Sequence, residues 1–431
     1  MASASVITTP TSEPAAKGEQ RGSESPTDPA DKKDALVNHM DINVPEAEKR
    51  INGALNLHDF YTVYLIETKV TDSVWLSSQK PGSISRLGSL WRRYTEFEIL
   101  HSYLSAVYPY IVLPPLPEKR VMFSWQKVAT DTFDPDFVDR RRAGLENFLL
   151  RIASHPILSF NHQFLAFLQQ EQGWQPDAKE HGYLQQFAES KLKSMIGLRE
   201  VDKRFEQVKS YSNELQGNVT NLLRVRASLA ERLYGIHKLH ASYGRIFSEW
   251  SAVERDMGDG IQKAGHYFDT VAAGIDTALE EEELLADQLK EYLFFAGALN
   301  AVCCRQEMMQ FQVERAQDLV QQHVTKLERV QQGKTSIMSR IFGTVDTDEF
   351  REERVSVLEQ RIEEYKESVN STVDQRDTFS KSALEDVKRF QEQKVIDLRE
   401  TLASYIMLQM KVARKGLTTW THIRDCLEGI K

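Results

Sequence analysis

Apolar and polar residues are distributed along this chain in patterns that divide it into distinct regions. Residues 1–38 carry few apolar side chains and are rich in Ser, Thr, Pro, Glu and Lys. Such a segment cannot bury enough surface to offset the conformational entropy that ordering would remove. We expect a disordered tail there, which is either a phosphorylation target or an inert solvated extension.

Residues 40–170 have the pattern of one small α+β domain. Residues 60–68 are rich in β-branched and aromatic side chains, as in a strand, and residues 41–46 are a candidate antiparallel partner. A Ser- and Gly-rich stretch at 77–89 predicts a loop, and residues 90–94 predict the returning strand. Three helices follow, with an extended proline-rich turn after the first. Their apolar positions are Phe97, Leu100, Leu104 and Val107; Phe137, Leu145, Phe148, Leu149 and Ile152; and Phe164, Leu165 and Leu168.

From residue 201 to 431 the pattern is helical throughout, and no proline occurs after Pro176. One row of apolar residues stands seven apart, and a companion row is interrupted by Arg226 and His240. Breaks near residues 257–260 and 333–347 predict three helices. Helices of that length cannot enclose a spherical core, so we expect an elongated bundle whose apolar stripes are covered by dimerisation. The first row is Leu215, Leu222, Leu229, Ile236, Tyr243 and Trp250, and the companion row is Val219, Leu233 and Phe247.

Residues 171–200 predict a linker with a candidate amphipathic helix. Phe187 and Ile196 belong to a set of apolar residues at helical spacing, with Lys and Arg residues among them. A helix of this kind inserts its apolar side into the membrane interface. The alternative is a helix packed between the two domains.

Bulk composition restricts what these regions do. A formal net charge of −9 argues against general attraction to nucleic acid or anionic lipid, so any phosphate binding requires a local basic cluster. The three cysteines and eleven histidines have no metal-ligand spacing, and no nucleophile is accompanied by a positioned base. We therefore predict no catalysis, no metal and no cofactor. The lack of a secretory signal and of a long apolar run leads us to expect a cytosolic protein, peripheral to membranes.

A local basic cluster follows the returning strand. Of Arg92 and Arg93, one should face a ligand and the other the opposite side, because strand side chains alternate. Tyr94 offers an aromatic face, Lys119 follows the rigid proline turn, and the arginines at 140–142 lie on the second predicted helix. Arginine has the planar fork that suits phosphate. Each arginine alone is more commonly a solvated surface charge, but the joint arrangement predicts a small phosphorylated ring as the ligand.

An apolar group lies next to this cluster in the sequence. Val121, Met122, Phe123 and Trp125 stand inside a collar of Lys and Arg residues. Exposed apolar side chains within a basic collar favour insertion into a membrane interface. The alternative is that they pack on the core of the domain.

Four segments resemble a known family: WRRYTEFEILHSYL, PPLPEKR, DPDFVDRRRAGLENFLLRIASHP and RLYGIHKLHASYGRIFSEWS. Residues 40–170 resemble a phox-homology (PX) domain, and residues 185–431 resemble the BAR region of the sorting nexins, most like the sorting nexin-4 branch. The resemblance implies an α+β PX domain with a small antiparallel sheet, followed by an all-α elongated three-helix BAR bundle that dimerises and responds to membrane curvature.

The same resemblance implies a ligand and a cellular role. It implies binding of phosphatidylinositol 3-phosphate, with Arg93 on the 3-phosphate, Tyr94 under the inositol ring, Lys119 at the 1-phosphate and Arg141 on the ring hydroxyls. It also implies attachment to the cytosolic face of early endosomes, a role in endosomal recycling, protein transport and autophagy, and dimerisation with itself or another sorting nexin. The cargo stays open, and no nucleic acid is expected as a partner. The alternative function is a cytosolic coiled-coil scaffold whose N-terminal domain binds proteins rather than lipid.

Overall fold

The computed structural model describes residues 34–51, 60–79, 84–119, 122, 133–171, 173–176, 198–332 and 348–430. An N-terminal α+β domain contains β1 (Met40–Ile51), β2 (Phe60–Val70), α1 (Ser73–Ser78), β3 (Leu87–Arg93), α2 (Tyr94–Val107), α3 (Pro135–Ala153) and α4 (His162–Gln169). Three long helices follow: α5 (Lys203–Ser251), α6 (Gly258–Gln331) and α7 (Asp348–Glu428). None of the helices in these described ranges is long and apolar enough to cross a membrane.

The sheet has the strand order β1-β2-β3, and both pairs of strands are antiparallel. The predicted pairing of residues 41–46 with residues 60–68 is present, with Ile42 opposite Thr68. The returning strand begins at Leu87 and ends at Arg93, so its predicted bounds were too late in the chain. Residues 73–78 form a helix where the predicted loop begins, because the Asp72 side chain accepts the backbone N–H groups of Val74 and Trp75 and caps it.

The core of the N-terminal domain lies between the sheet and helices α2, α3 and α4. Phe97 is fully buried at its centre, with ring centroids 5.0 Å from Phe167 and 6.4 Å from Phe148. Leu36 is also fully buried in this core, within a short 3-10 helix at Leu36–Asn38. The predicted tail therefore extended too far, since its last residues belong to the packed domain.

In the bundle, α6 packs along both α5 and α7. The three helices contain 49, 74 and 81 residues, and α6 alone is about 110 Å long at 1.5 Å per residue. The companion row faces inward: Val219 and Arg226 are buried, and the ring of Phe247 packs at 5.1 Å on that of Phe268. The predicted elongated bundle is thus built on this row.

Among the described residues, the other apolar row is covered only in part: Leu215 packs on a buried cluster, but the rest of the row stays largely exposed. Leu222, Leu229, Ile236, Tyr243 and Trp250 remain between 42% and 50% exposed. The second half of α7 also exposes large apolar side chains, which we group with this row as the apolar stripe: Val395, Ile396, Leu402, Ile406, Met407, Met410, Leu417, Trp420 and Leu427. So much exposed apolar surface is typical of an interaction site.

The N-terminal domain contacts the bundle through Val112, which is buried in an apolar cluster of the bundle, and through a set of polar groups. The contacts include Arg140–Glu283 (2.8 Å), Glu118–Lys290 (2.9 Å), Arg151–Asp397 (2.7 Å), Asn147–Glu291 (2.8 Å) and His155–Asp386 (2.9 Å). A cavity of about 570 Å³ lies within this interface, lined by the proline-rich turn, α3, α6 and α7. Glu283, which pairs with Arg140 in this interface, belongs to an acidic run at 280–283, and Glu282 of the same run is buried.

Candidate functional site

At the end of β3 the two neighbouring arginines have different surroundings. Arg92 is buried, where Nε and Nη2 donate to the Phe167 carbonyl at 3.2 and 2.9 Å and Nη1 pairs with Glu96 at 3.1 Å. Arg93 is exposed, and its guanidinium lies 3.6 Å from the centre of the Tyr61 ring on β2. Arg92 therefore holds α4 against the sheet, whereas Arg93 is accessible to a ligand. The predicted alternation of the pair is present.

Tyr94 is the first residue of α2, and its hydroxyl is fixed. It donates a hydrogen bond of 2.7 Å to the carbonyl of Pro117 in the proline-rich turn. Burial raises the pKa of Tyr94 to about 12, and the negative charge of Glu98 acts in the same direction. The phenol therefore keeps its proton at neutral pH and remains a donor, which sets the position of the ring.

Arg141 brings a second segment to this ring. It is buried on α3, with its guanidinium 5.0 Å from the centre of the Tyr94 ring and 4.3 Å from that of Phe137. Its Nη2 donates to the Lys119 carbonyl at 2.8 Å. The buried Nε has no hydrogen-bond partner among the described residues, so this cation retains donor capacity.

Lys119 completes the group. Its ammonium lies 5.9 Å from the centre of the Tyr94 ring and pairs with Glu98 at 2.9 Å. The lysine side chain is 65% exposed, so this ion pair contributes little and exchanges readily with solvent or a ligand. The structure thus brings Tyr94, Lys119 and Arg141 together, while Arg93, the residue before Tyr94, has its guanidinium on Tyr61.

The candidate insertion residues are mostly outside the described residues. Met122 is described, is exposed, and donates its backbone N–H to Glu118 Oε2 at 2.9 Å. The others, Val121, Phe123, Trp125, Phe187 and Ile196, lie outside the described ranges, as does the candidate amphipathic helix.

Comparison with known proteins identifies the family of the chain. The PX domain family matches residues 82–171. Sorting nexin-4 of Homo sapiens is 47% identical over 397 residues, which cover 90% of this chain and 86% of that protein. The chain belongs to the sorting nexin family. Sorting nexin-7 of Macaca fascicularis is 28% identical to this sorting nexin over 58% of the chain and 66% of its own length.

Among solved structures, the N-terminal I-BAR domain of D. discoideum IBARa covers 51% of this sorting nexin and 89% of its own chain, with 12% identity and a TM-score of 0.29. The matched PX region contains β3 and helices α2 to α4, and the three long helices follow it. Together with family membership, this architecture confirms the predicted α+β PX domain followed by an all-α elongated three-helix bundle.

Three residues of this sorting nexin bear on the site but escaped sequence reasoning. Glu98 lies one helical turn after Tyr94, a spacing that could have identified it as a neighbour of the ring. Glu118 precedes Lys119 directly, but its side chain contacts Lys290 on α6. No local signal marks Lys290, because it is 172 positions further along the chain.

Proposed function

We propose that this sorting nexin binds phosphatidylinositol 3-phosphate at the corner formed by Arg93, Tyr94, Lys119 and Arg141. The observation that carries the proposal is the Tyr94 ring, which two cations from distant segments approach at 5.0 and 5.9 Å. Guanidinium and ammonium groups around one aromatic face suit a ring that carries phosphates and hydroxyls.

The charge state of the cluster supports this assignment. Among the described residues, no carboxylate pairs with the guanidinium of Arg93 or Arg141. Contact with Tyr61 orders Arg93 without neutralising it, so its charge is available to the 3-phosphate. The buried Arg141 would hydrogen-bond the ring hydroxyls, and Lys119 would leave Glu98 for the 1-phosphate.

Membrane attachment then combines several weak contacts. The apolar stripe would be covered by a second copy of the chain or by another sorting nexin, and a dimer carries two headgroup sites on one bundle. Val121, Met122, Phe123 and Trp125 would insert beside each site, and Phe187 and Ile196 would insert from the candidate amphipathic helix. We propose the cytosolic face of early endosomes as the location, and recycling, protein transport and autophagy as the role.

The headgroup assignment is tested by co-sedimentation with vesicles that differ only in the phosphoinositide. We expect a preference for the 3-phosphate, and Arg93→Ala should weaken binding about tenfold or more, because a charge-assisted contact to phosphate is lost. Arg86→Ala is the matched control, since Arg86 is an exposed arginine just before the other end of β3. Equal binding to all headgroups would favour the scaffold function instead.

Insertion of the candidate amphipathic helix is tested by vesicle tubulation. Phe187→Glu combined with Ile196→Glu should reduce tubulation while leaving binding of a soluble headgroup unchanged, because the glutamates cannot enter the apolar interface. Unaltered tubulation would exclude the wedge and favour a helix packed between the two domains.

A further inference from the structure

The segment that carries Lys119 has no secondary structure of its own. Residues 109–119, the proline-rich turn, contain neither helix nor strand. Four prolines at 109, 114, 115 and 117 remove backbone donors from it, so the path of the turn depends on tertiary contacts. Contacts that hold this turn therefore influence where Lys119 and the Pro117 carbonyl lie.

The first end of the turn is held by the bundle. Arg305 on α6 donates to the Pro109 carbonyl at 2.9 Å, and the Val112 N–H donates to Asp386 Oδ2 on α7 at 2.7 Å. Asp386 also accepts from Arg389 at 2.9 Å, and it lies 2.9 Å from the His155 ring. Burial opposes its ionisation, but these partners outweigh burial and lower the pKa of Asp386, so it is an acceptor at neutral pH.

The second end of the turn is held by a buried ion pair. Lys290 Nζ on α6 lies 2.9 Å from Glu118 Oε1, and the two side chains are 5% and 11% exposed. The other carboxylate oxygen of Glu118 accepts the Met122 N–H at 2.9 Å. One carboxylate therefore connects the bundle, the turn and Met122 of the apolar insertion group.

The neighbours of Glu118 give this ion pair its significance. The carbonyl of Pro117 accepts the hydroxyl of Tyr94 at 2.7 Å, and the carbonyl of Lys119 accepts a guanidinium N–H of Arg141 at 2.8 Å. Glu118, which pairs with Lys290, lies between Pro117 and Lys119 in the chain. A displacement of Glu118 would consequently move the partners of Tyr94 and Arg141 together with Lys119 itself.

We propose that Lys290, through Glu118, is a positioning residue of the headgroup site, so that the site is complete only when the PX domain is docked on helix α6. This inference rests on the proposed binding of the 3-phosphate headgroup. It makes the bundle part of the recognition of the lipid, in addition to its role in the dimer.

The test measures binding of soluble dibutanoyl phosphatidylinositol 3-phosphate to the full chain by titration calorimetry. Lys290→Met should weaken binding about fivefold, the effect expected when a contacting pair that orders a site is removed. Lys290→Arg retains the ion pair and should bind within about twofold of wild type. Lys411→Met is the matched control, because it removes an exposed pair with Glu281 between α7 and α6, at 2.8 Å.

Two further variants separate positioning from general loss of structure. Glu118→Met combined with Lys290→Met removes both charges of the buried pair, and among the charged groups that the structure describes only Asp287, which Lys290 contacts at 3.2 Å and whose side chain is 32% exposed, loses a partner. This double variant should therefore unfold near the wild-type temperature and still bind weakly. In a Lys119→Ala background, Lys290→Met should cause a smaller additional loss than in wild type, because the part of its effect that acts through the Lys119 side chain is already absent.

The outcomes distinguish this inference from the proposed function. If wild type binds the headgroup and Lys290→Met binds equally well, the positioning role is wrong and the headgroup site stands. If Lys290→Met weakens headgroup binding by the same factor in the Lys119→Ala background as in wild type, the positioning role is also wrong. If wild type binds no phosphoinositide headgroup, the proposed function fails and this inference fails with it.

Discussion

The apolar stripe leads to a prediction about assembly, and Ile236→Glu is the substitution that addresses it. The Ile236 side chain remains 42% exposed within the chain. Full burial of an isoleucine stabilises by about 1.5–3 kcal/mol, so covering the exposed part contributes about 1 kcal/mol in each chain. In a symmetric dimer the substitution removes about 2 kcal/mol, and burying two carboxylates adds a further cost. The dissociation constant should rise by a factor of about 30 or more.

Sedimentation equilibrium over a range of protein concentrations measures this change. Val357→Glu is the matched control, because Val357 is exposed on α7 but lies outside the apolar stripe. Self-association of Ile236→Glu with the wild-type constant would refute the assignment of this face. A wild-type chain that is monomeric at all concentrations would exclude a second copy as the partner, and the same comparison would then be made with another sorting nexin.

Three further predictions concern the headgroup site and the stability of the domain. Glu98→Gln should strengthen binding of the soluble headgroup by up to about fivefold in titration calorimetry, because an exposed pair that competes for Lys119 is worth at most about 1 kcal/mol. His101→Gln should flatten the pH dependence of unfolding between pH 6.5 and 4, as measured by denaturant titration. Burial, with the charge of Arg305, lowers the pKa of His101 to about 4, so its contribution is complete above pH 6.5 and falls by up to about 3 kcal/mol as pH drops to 4. Arg92→Lys should lower the free energy of unfolding by about 3 kcal/mol in the same assay, because a lysine cannot replace bonds to both Phe167 and Glu96.

Each of these predictions has a control and an outcome that contradicts it. Glu67→Gln removes an exposed carboxylate from β2 and should leave headgroup binding unchanged, whereas unaltered binding of Glu98→Gln would show that its carboxylate does not compete. Subtracting the wild-type free energy of unfolding from that of His101→Gln at each pH cancels the contributions of the other titrating groups. A difference that does not change with pH would show that His101 does not contribute to the pH dependence. Arg93→Ala should keep the wild-type unfolding energy, and equal stability of Arg92→Lys would refute the structural role of Arg92.

The elements of the fold were predictable from sequence where burial is periodic. Phe97, Leu100 and Leu104 recur at helical spacing and are all buried on α2. Helix α1 was missed because only six residues form it, and its apolar residues have no clear period. The informative signal was Asp72, whose side chain caps the helix at its first residues.

Part of the site was also within reach of sequence reasoning. Alternation along a strand implies that Arg92 and Arg93 face opposite sides, as they do. Which of the two arginines is buried depends on α4, because the Phe167 carbonyl accepts a hydrogen bond from Arg92. Local sequence could not reveal this contact, since the two residues are 75 positions apart. The resemblance to the family, rather than the spacing, selected Arg93 as the ligand residue, and its role stays a prediction.

Contacts between the two domains could not be read from local pattern. The acidic run at 280–283 has the composition of a solvated face, but Glu283 pairs with Arg140 at 2.8 Å and with Arg226 at 2.7 Å. Arg226 interrupts the apolar companion row, yet it is buried because its guanidinium pairs with Glu283 on α6. A buried charge becomes interpretable only when its partner is known.

The distribution of these ion pairs is consistent with the proposal that an acidic chain selects an anionic headgroup. Arg140 and Arg151 of the PX domain meet carboxylates of the bundle, and Lys290 of the bundle meets Glu118 of the PX domain, so these charges are largely neutralised within the protein. The guanidinium groups of Arg93 and Arg141 have no such partner in the described ranges. With a net charge of −9, the field of the whole chain repels an anionic surface, so the proposed attraction would have to come from the local charges of Arg93, Lys119 and Arg141. Recognition should therefore depend on a specific headgroup much more than on the total negative charge of the membrane.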